Sequence, residues 1–221
     1  MKKCACLMVL CLFVSPMWLD AAVVTKVSGK EIYVDAGKKD GVQIGTMMNV
    51  YRKKEIESEY GSMKFTTQIF LGRIMAYKVG SDNTVARVQE MTSVIDEGTQ
   101  KAILKSDLVQ PAFVVSADGL FRKGEIDLLA TGIPTMRRLV GFIKRFDALK
   151  VRIEVHTDSD TKNGVKLSRT QSKRIREWLV NDGGIKKDTL VPVGYGDQKP
   201  IAGPSSEGQK ANRRVEIVIE D

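Results

Sequence analysis

The stretch Val151-Arg152-Ile153-Glu154-Val155-His156-Thr157-Asp158-Ser159-Asp160 decides the fold. Val151, Ile153 and Val155 alternate with Arg152, Glu154 and His156, the period of two that marks a half-buried strand. The strand stops at Thr157-Asp158-Ser159-Asp160, whose short polar side chains can satisfy loop backbone groups and cap turns. Beyond it, Leu167, Ile175, Trp178 and Leu179 supply the apolar stripe of a helix that opens Leu167-Ser168-Arg169-Thr170-Gln171 and ends at Gly183-Gly184. Leu190 to Gly196 reads as a strand running into a turn, and Pro192 puts its beginning at a sheet edge or outside the ladder. Val215 to Glu220 alternates as the last strand.

Upstream, Ala112 to Val115 reads as a strand, followed by Asp118-Gly119-Leu120-Phe121. Apolar residues then recur at Ile126, Leu129, Ile133, Met136, Val140 and Ile143, steps of three and four that define one helical face. Gly132 and Pro134 interrupt that face, so the helix either bends there or begins after Pro134. The order over 112–221 is therefore strand, helix, strand, helix, strand, strand. It predicts a β-α-β-α-β-β sandwich with its helices on one sheet face. Residues 106–111 are the expected linker to what precedes it.

Residues 22–105 have a different texture. Val23 to Val27, Glu31 to Asp35, Met47 to Tyr51, Gln68 to Val79 and Asn83 to Gln89 are short β-rich runs, with a weaker one at Lys101 to Leu104. Glycines punctuate them, with Gly72 and Gly80 expected at a bulge and a turn. Such a pattern predicts a small antiparallel β-barrel of SH3-like or OB-like type, which makes the whole chain α+β. The loop charges Arg52, Lys53, Lys54, Glu55, Glu57 and Glu59 are expected to form a solvated hairpin. Nothing in this half has the residue types of a catalytic site, and a docking or spacer module is the expectation.

The 221 residues are 43% hydrophobic and 28% charged, enough to bury a core, and carry a net charge of +8. No basic helix with interleaved aromatics is present, which argues against nucleic acid as a partner. Residues 1–21 read as a secretory signal: Lys2 and Lys3, an apolar run from Cys4 to Val14, Pro16, and small residues at Ala21 and Ala22. Cleavage, retention as an anchor, and lipid attachment at Cys11 are all compatible with it. The three cysteines, Cys4, Cys6 and Cys11, all fall inside this segment, so the remainder has neither a disulfide framework nor a Cys metal site. One histidine, His156, is a poor basis for a metal centre, and no cofactor is expected. A hydrolase reading of His156, Asp158 and Ser168 lacks a nucleophile elbow and a second base, so the chain is not expected to be an enzyme.

Five motifs recur in order at nearly family spacing: His156-Thr157-Asp158, Leu167-Ser168, Gly194-Tyr195-Gly196-Asp197, Lys199-Pro200-Ile201-Ala202 and Asn212-Arg213-Arg214-Val215-Glu216-Ile217. Over residues 112–221 the chain resembles the C-terminal domain of the OmpA family, shared with Pal-type lipoproteins and MotB-type stator proteins. The resemblance implies non-covalent, non-catalytic binding of the peptidoglycan stem peptide through its diamino acid. It places the protein in the periplasm of a diderm bacterium, associated with the cell wall or outer membrane. Residues 34–45 resemble more weakly the C-terminal barrel of some flagellar-assembly and other periplasmic proteins, which implies an envelope or flagellar protein as partner for the first module.

The same resemblance assigns site residues. Asp158 would pair with the ligand's ammonium, with Thr157 beside it and Asn163 nearest to the family's Asn. An Arg expected three residues after the Ser of Leu-Ser, to hold the ligand carboxylate with its planar fork, is Gln171 here. Arg174 is the better-placed rescuer on that helix, ahead of Arg169. Of Arg213 and Arg214 one faces the pocket, and Arg213 is favoured; the other would lie at the surface or pair with Glu216 or Asp197. Keeping Asp158 while losing the Arg leaves a cation grip without an anion grip. This points to ornithine rather than diaminopimelate as the diamino acid, with loss of binding and a purely structural adaptor as the alternative.

Overall fold

The computed structural model describes residues 22–57, 64–94, 99–146, 148 and 150–220 as mixed α+β, with three α-helices against one open nine-stranded sheet. The expected signal segment 1–21 and Glu59 of the charged loop lie outside the described residues. The first five strands are β1 (Val24–Ser28), β2 (Glu31–Val34), β3 (Met47–Glu57), β4 (Lys64–Val79) and β5 (Thr84–Met91). Then follow β6 (Leu108–Ser116), α1 (Ile133–Phe146), β7 (Lys150–His156), α2 (Gly164–Asn181), β8 (Leu190–Gly196), α3 (Ser206–Asn212) and β9 (Arg214–Glu220). The sheet order is β1-β2-β5-β4-β3-β6-β9-β7-β8, with β7 and β8 parallel and the other pairings antiparallel.

Three expectations need correction. The segment 106–111 is not a free linker, because residues 108–111 are the first half of β6 and pair with β3 while residues 112–116 pair with β9. Pro111 is tolerated because its nitrogen turns away from β3, just ahead of the first β6–β9 pair, Ala112 with Val218, so the lost N–H breaks no inner ladder. Lys101 to Leu104 is not a strand. Its backbone is held instead by side chains: Arg52 Nη1 and Nη2 donate to Gln100 O and Ala102 O at 2.7 and 2.8 Å, and Leu104 N donates to Asp107 Oδ2 at 2.7 Å. A third helix, α3, separates the last two strands, so the order in this half is strand, helix, strand, helix, strand, helix, strand. Its seven residues lack an apolar stripe; the Ser205 Oγ cap, accepting from Gly208 N at 3.1 Å, starts it.

Two apolar clusters flank β6. One gathers Val34, Met48, Leu71, Ile74 and Val109 from the first half, and the other gathers Leu120, Met136, Leu139, Ile153, Ile175, Leu179 and Ile217 from the second. Helix α1 begins at Ile133, which leaves Pro134 in its first turn where a missing N–H costs nothing. Ile126, ahead of it, is exposed. Gly72 does mark a bulge between β3 and β4, at a place where a Cβ would stand 2.3 Å from Glu90 O. The expected small barrel is here the first part of the open sheet. Its first strand also curls back toward β6, through a Val23–Leu108 bridge and bonds from Val24 N to Asp107 O and Val109 N to Ala22 O at 2.9 and 2.7 Å.

The halves are tied by a buried polar cluster. Glu216, in β9, accepts from Asn49 Nδ2 at 2.7 Å, Arg73 Nη2 at 2.7 Å and Arg214 Nε at 2.6 Å. Arg73 also reaches Asn49 Oδ1 at 3.1 Å and Glu90 at 2.5 Å, so each buried charge has a partner.

Candidate functional site

The site forms where β7, α2 and the α3–β9 junction converge with the turn after β6. Beyond His156 the chain leaves β7, and Thr157 N donates to Gly196 O at 2.9 Å, fixing the two polar residues Thr157 and Asp158 at the strand's end. Helix α2 crosses β8 so closely that Ser168 Oγ accepts from Gly196 N at 2.9 Å. Its buried stripe is Ser168, Gln171, Ser172, Ile175 and Leu179, so the half nearest the site is polar and the far half apolar.

Asp158, 2% exposed, accepts from the Thr161 hydroxyl on Oδ1 and from Arg213 Nη1 at 2.6 Å on Oδ2. Arg213 turns the rest of its fork to Asp118, with Nε and Nη2 donating at 3.0 and 2.7 Å. Two carboxylates thus share one guanidinium, and the trio carries one net negative charge. Burial works to raise the Asp158 pKa, but the hydrogen bonds from Thr161 and Arg213, Arg213's charge and the field of Lys123 overcome it and leave it below the ordinary value. Asp118 and Asp158 together hold the Arg213 proton more tightly than usual.

Gln171 is buried and donates from Nε2 to the Glu125 carbonyl at 2.7 Å, which pins α2 to the segment before α1. Between Gln171, Phe121, Thr157, Thr161, Lys123 and Arg213 lies a cavity of about 20 Å³, room for roughly one water-sized group. Thr157 lines it, and its Oγ1 is buried without a hydrogen-bond partner among the described residues. His156 stacks on Tyr195 at 5.2 Å, and its Nε2 stands 3.5 Å from Glu154 Oε2. Its burial lowers its pKa more than Glu154 raises it, so the ring is neutral at neutral pH.

The structure thus brings Thr157, Asp158, Gln171 and Arg213 together. It places Asn163 and Arg174 elsewhere. Asn163 caps α2 in the left-handed region, φ 54°, with its side chain exposed. Arg174, one turn past Gln171, is exposed and lies 3.5 Å from Glu177, while Arg169 lines a separate open groove with Lys166 and Lys173. Arg214 points to the other side of β9, where it pairs with Glu216. Asp118 and Lys123 were not singled out from sequence. Asp118 reaches the site through a short 3-10 turn, Ala117–Gly119, whose Ala117 N donates to Arg213 O at 3.0 Å. No local pattern announces that pairing.

These groups set an acid dependence. For both His156 and Asp158 the folded-state pKa lies below the ordinary value, so the unfolded chain takes up protons first as pH falls. Stability is therefore present above the ordinary value and lost below it: from about 6.5 downward for His156, and from about 3.8 downward for Asp158. Melting temperature is expected to fall monotonically on acidification. His156→Gln should flatten the upper part of that fall and Asp158→Asn the lower part. A melting temperature that rises between pH 7 and 5 would refute the assignment.

Residues 120–214 match the model of the OmpA family. Over 89 residues the chain is 36% identical to outer membrane porin F of Pseudomonas aeruginosa, an overlap of 38% of this chain and 25% of the porin. A similar 36% over 89 residues relates it to outer membrane porin F of Pseudomonas fluorescens, covering 27% of that protein. The chain thus spans about a quarter of the length of these curated relatives. Among solved structures it is similar to the cell wall anchor of the T6SS from Pseudomonas aeruginosa, at 22% identity over 50% of this chain and 80% of that one, with a TM-score of 0.46. It is also similar to the periplasmic domain of Helicobacter pylori MotB, at 20% identity over 51% and 78%, with a TM-score of 0.45.

Proposed function

Residues 120–214 being an OmpA family domain, we propose that this chain binds the peptidoglycan stem peptide without catalysis and anchors an envelope component to the wall from the periplasm. The observation that carries the reading is the trio of Asp118, Arg213 and Asp158 beside the small cavity, with its single net negative charge. A ligand ammonium entering there would pair with the net negative charge of that trio, beside Thr157. A carboxylate entering there would meet the two carboxylates of that trio, with Lys123 at the rim as the cation left to receive it.

The same geometry supports a diamino acid without a second side-chain carboxylate, such as ornithine. Gln171 offers no charge, and its amide N–H is committed to Glu125 O. The cavity of about 20 Å³ suits an ammonium head better than an ammonium with a carboxylate beside it. Residues 22–105 are then the docking half, with an envelope or flagellar protein as its partner; the Val23–Leu108 bridge supports a barrel-like curl of its strands.

Sedimentation with purified sacculi tests the first step. Asp158→Ala is expected to weaken wall association about tenfold to a hundredfold, the loss of one charge-assisted hydrogen bond from a buried site. Wall association that ignores the substitution would favour a structural adaptor instead. Titration with defined muropeptides tests the second step: ornithine peptides should bind more tightly than diaminopimelate ones. Equal or tighter binding of diaminopimelate would sink the preference and point to Lys123 at the rim as the anion grip.

A further inference from the structure

β6 changes partners partway along its length. Leu108–Pro111 pair with β3 on one side, and Ala112–Ser116 pair with β9 on the other. Ala117 N donates to Arg213 O on the β9 side. Backbone groups alternate sides along an antiparallel strand, so Phe113 and Val115 also face β9, whereas Val114 and Ser116 direct their N–H and C=O groups the opposite way. On that opposite side no strand of the described residues follows. The chain ahead of β3 turns off to β4 instead, with Gly45 N donating to Ala76 O at 2.8 Å and Ala76 N to Thr46 O at 3.0 Å. In the space left lies a cleft of about 450 Å³ between residues 44–47, β6 and α1.

The cleft has an apolar floor and a cationic wall. Phe113 and Phe142 meet edge to face at 5.6 Å, and Ile44 at the mouth is 74% exposed. Arg138 lies over the Phe113 ring at 5.4 Å, and Arg145 over Phe146 at 5.2 Å. Among the described residues no Asp or Glu lines the cleft. Arg145 gives one N–H to Gln43 Oε1 at 2.8 Å, while its buried Nε has no partner among the described residues. Burial lowers the pKa of that guanidinium, a penalty that a nearby carboxylate would relieve.

We infer that this cleft is a second binding site, separate from Asp158, in which an extended acidic segment of another protein adds as a strand along Val114–Ser116 and sets its carboxylates against Arg138 and Arg145. An open strand edge supplies main-chain hydrogen bonds to any extended peptide, and the side pockets select among them. Here the selecting groups are two arginines on aromatic rings, suited to planar carboxylates. A second copy of this chain is a poor occupant, because edge-to-edge pairing of two β6 strands would bring two such arginine pairs together. A lipid surface is a poor one too, since it would leave the edge's backbone groups without partners.

The test uses the full chain and a labelled short peptide alternating glutamate with valine, read by fluorescence polarisation. Two controls accompany it: the same peptide with lysine in place of glutamate, and the glutamate peptide N-methylated on alternate backbone amides. The glutamate peptide is expected to bind saturably and to slow hydrogen exchange at the Val114 and Ser116 amides. Arg138→Glu, an exposed position that leaves the core untouched, should weaken it about tenfold, the loss of one charge-assisted contact. N-methylation should abolish binding. Equal affinity for the lysine peptide, indifference to N-methylation, or Val114 protection that depends only on the concentration of the chain itself would each overturn the proposal.

Discussion

Replacing Glu216 by alanine is expected to destabilise the fold by about 3–5 kcal/mol, the range for breaking a buried ion pair from one side. For a chain of this size that lowers the melting temperature by roughly 10 °C. Burial alone would raise the Glu216 pKa, yet Arg214 and Arg73, helped by Asn49, pull it down to about 2. The carboxylate is thus ionised in a place that water does not reach, and it is held there by two cations and an amide. Without it, Arg73 keeps Glu90 and Arg214 keeps only the carbonyls of Asn212 and Lys199. Arg214 loses the one carboxylate it pairs with among the described residues, which is the costly half of the change. Glu216→Gln, which preserves shape and two acceptor lone pairs, should cost less. Chemical denaturation followed by circular dichroism measures all of this, and a loss under about 1 kcal/mol would show the cluster to be weakly coupled. Because Asn49 lies on β3 and Arg73 on β4 while Glu216 lies on β9, the substitution probes the tie between the first five strands and the half that carries the candidate site. Arg214 adjoins Arg213, so the same strand that holds this cluster also aims the site.

What could be read from the sequence divides along physical lines. Period-two alternation is local, and it located β7 and β9 because Ile153 and Ile217 each face a core that their own strand faces too. Helix α1 was half legible: Met136 and Ile143 of its apolar steps are buried, but so are Leu139 and Phe142, which the steps left out, and the helix starts at Ile133, one residue before Pro134. Helix α3 was illegible because it is a capped turn of polar residues, placed by its neighbours rather than by an apolar stripe. Residues 108–111 were misjudged because Gln110 and Pro111 break the run of apolar residues. Their strand status comes from β3, a partner some sixty residues away in sequence, whose Asn49 and Met48 they face. At the site, Asp158, Thr157, Gln171 and Arg213 were named from the resemblance to the OmpA family's motifs. Asn163 and Arg174 were misplaced because spacing along a helix gives a face but not the depth of the turn that precedes it. Asp118, which holds the larger share of the Arg213 fork, depends on a long-range pairing that no window of sequence contains.

Gly194→Ala is the second substitution expected to have a large effect, about 3 kcal/mol at the upper end of the range for overpacking. A Cβ at Gly194 would stand 2.1 Å from Arg169 N and 2.5 Å from Arg169 Cα, and both are backbone atoms that no rotamer change can move aside. Helix α2 would have to lift off β8 as a body. Lifting it carries Ser168 away from Gly196 N, a bond of 2.9 Å, and Gln171 away from the Glu125 carbonyl, a bond of 2.7 Å. Stability and wall binding should therefore fall together, although Gly194 itself does not line the cavity beside Asp158. The comparison with Gly119→Ala separates this from a general intolerance of larger residues, since a Cβ there meets nothing within 4 Å. Thermal melting and sacculus sedimentation of the two variants decide the matter. Gly194→Ala with an unchanged melting temperature would mean that α2 is not seated on β8 as closely as 2.1 Å implies, and a wall-binding loss without a stability loss would place the effect in the pocket rather than in the packing.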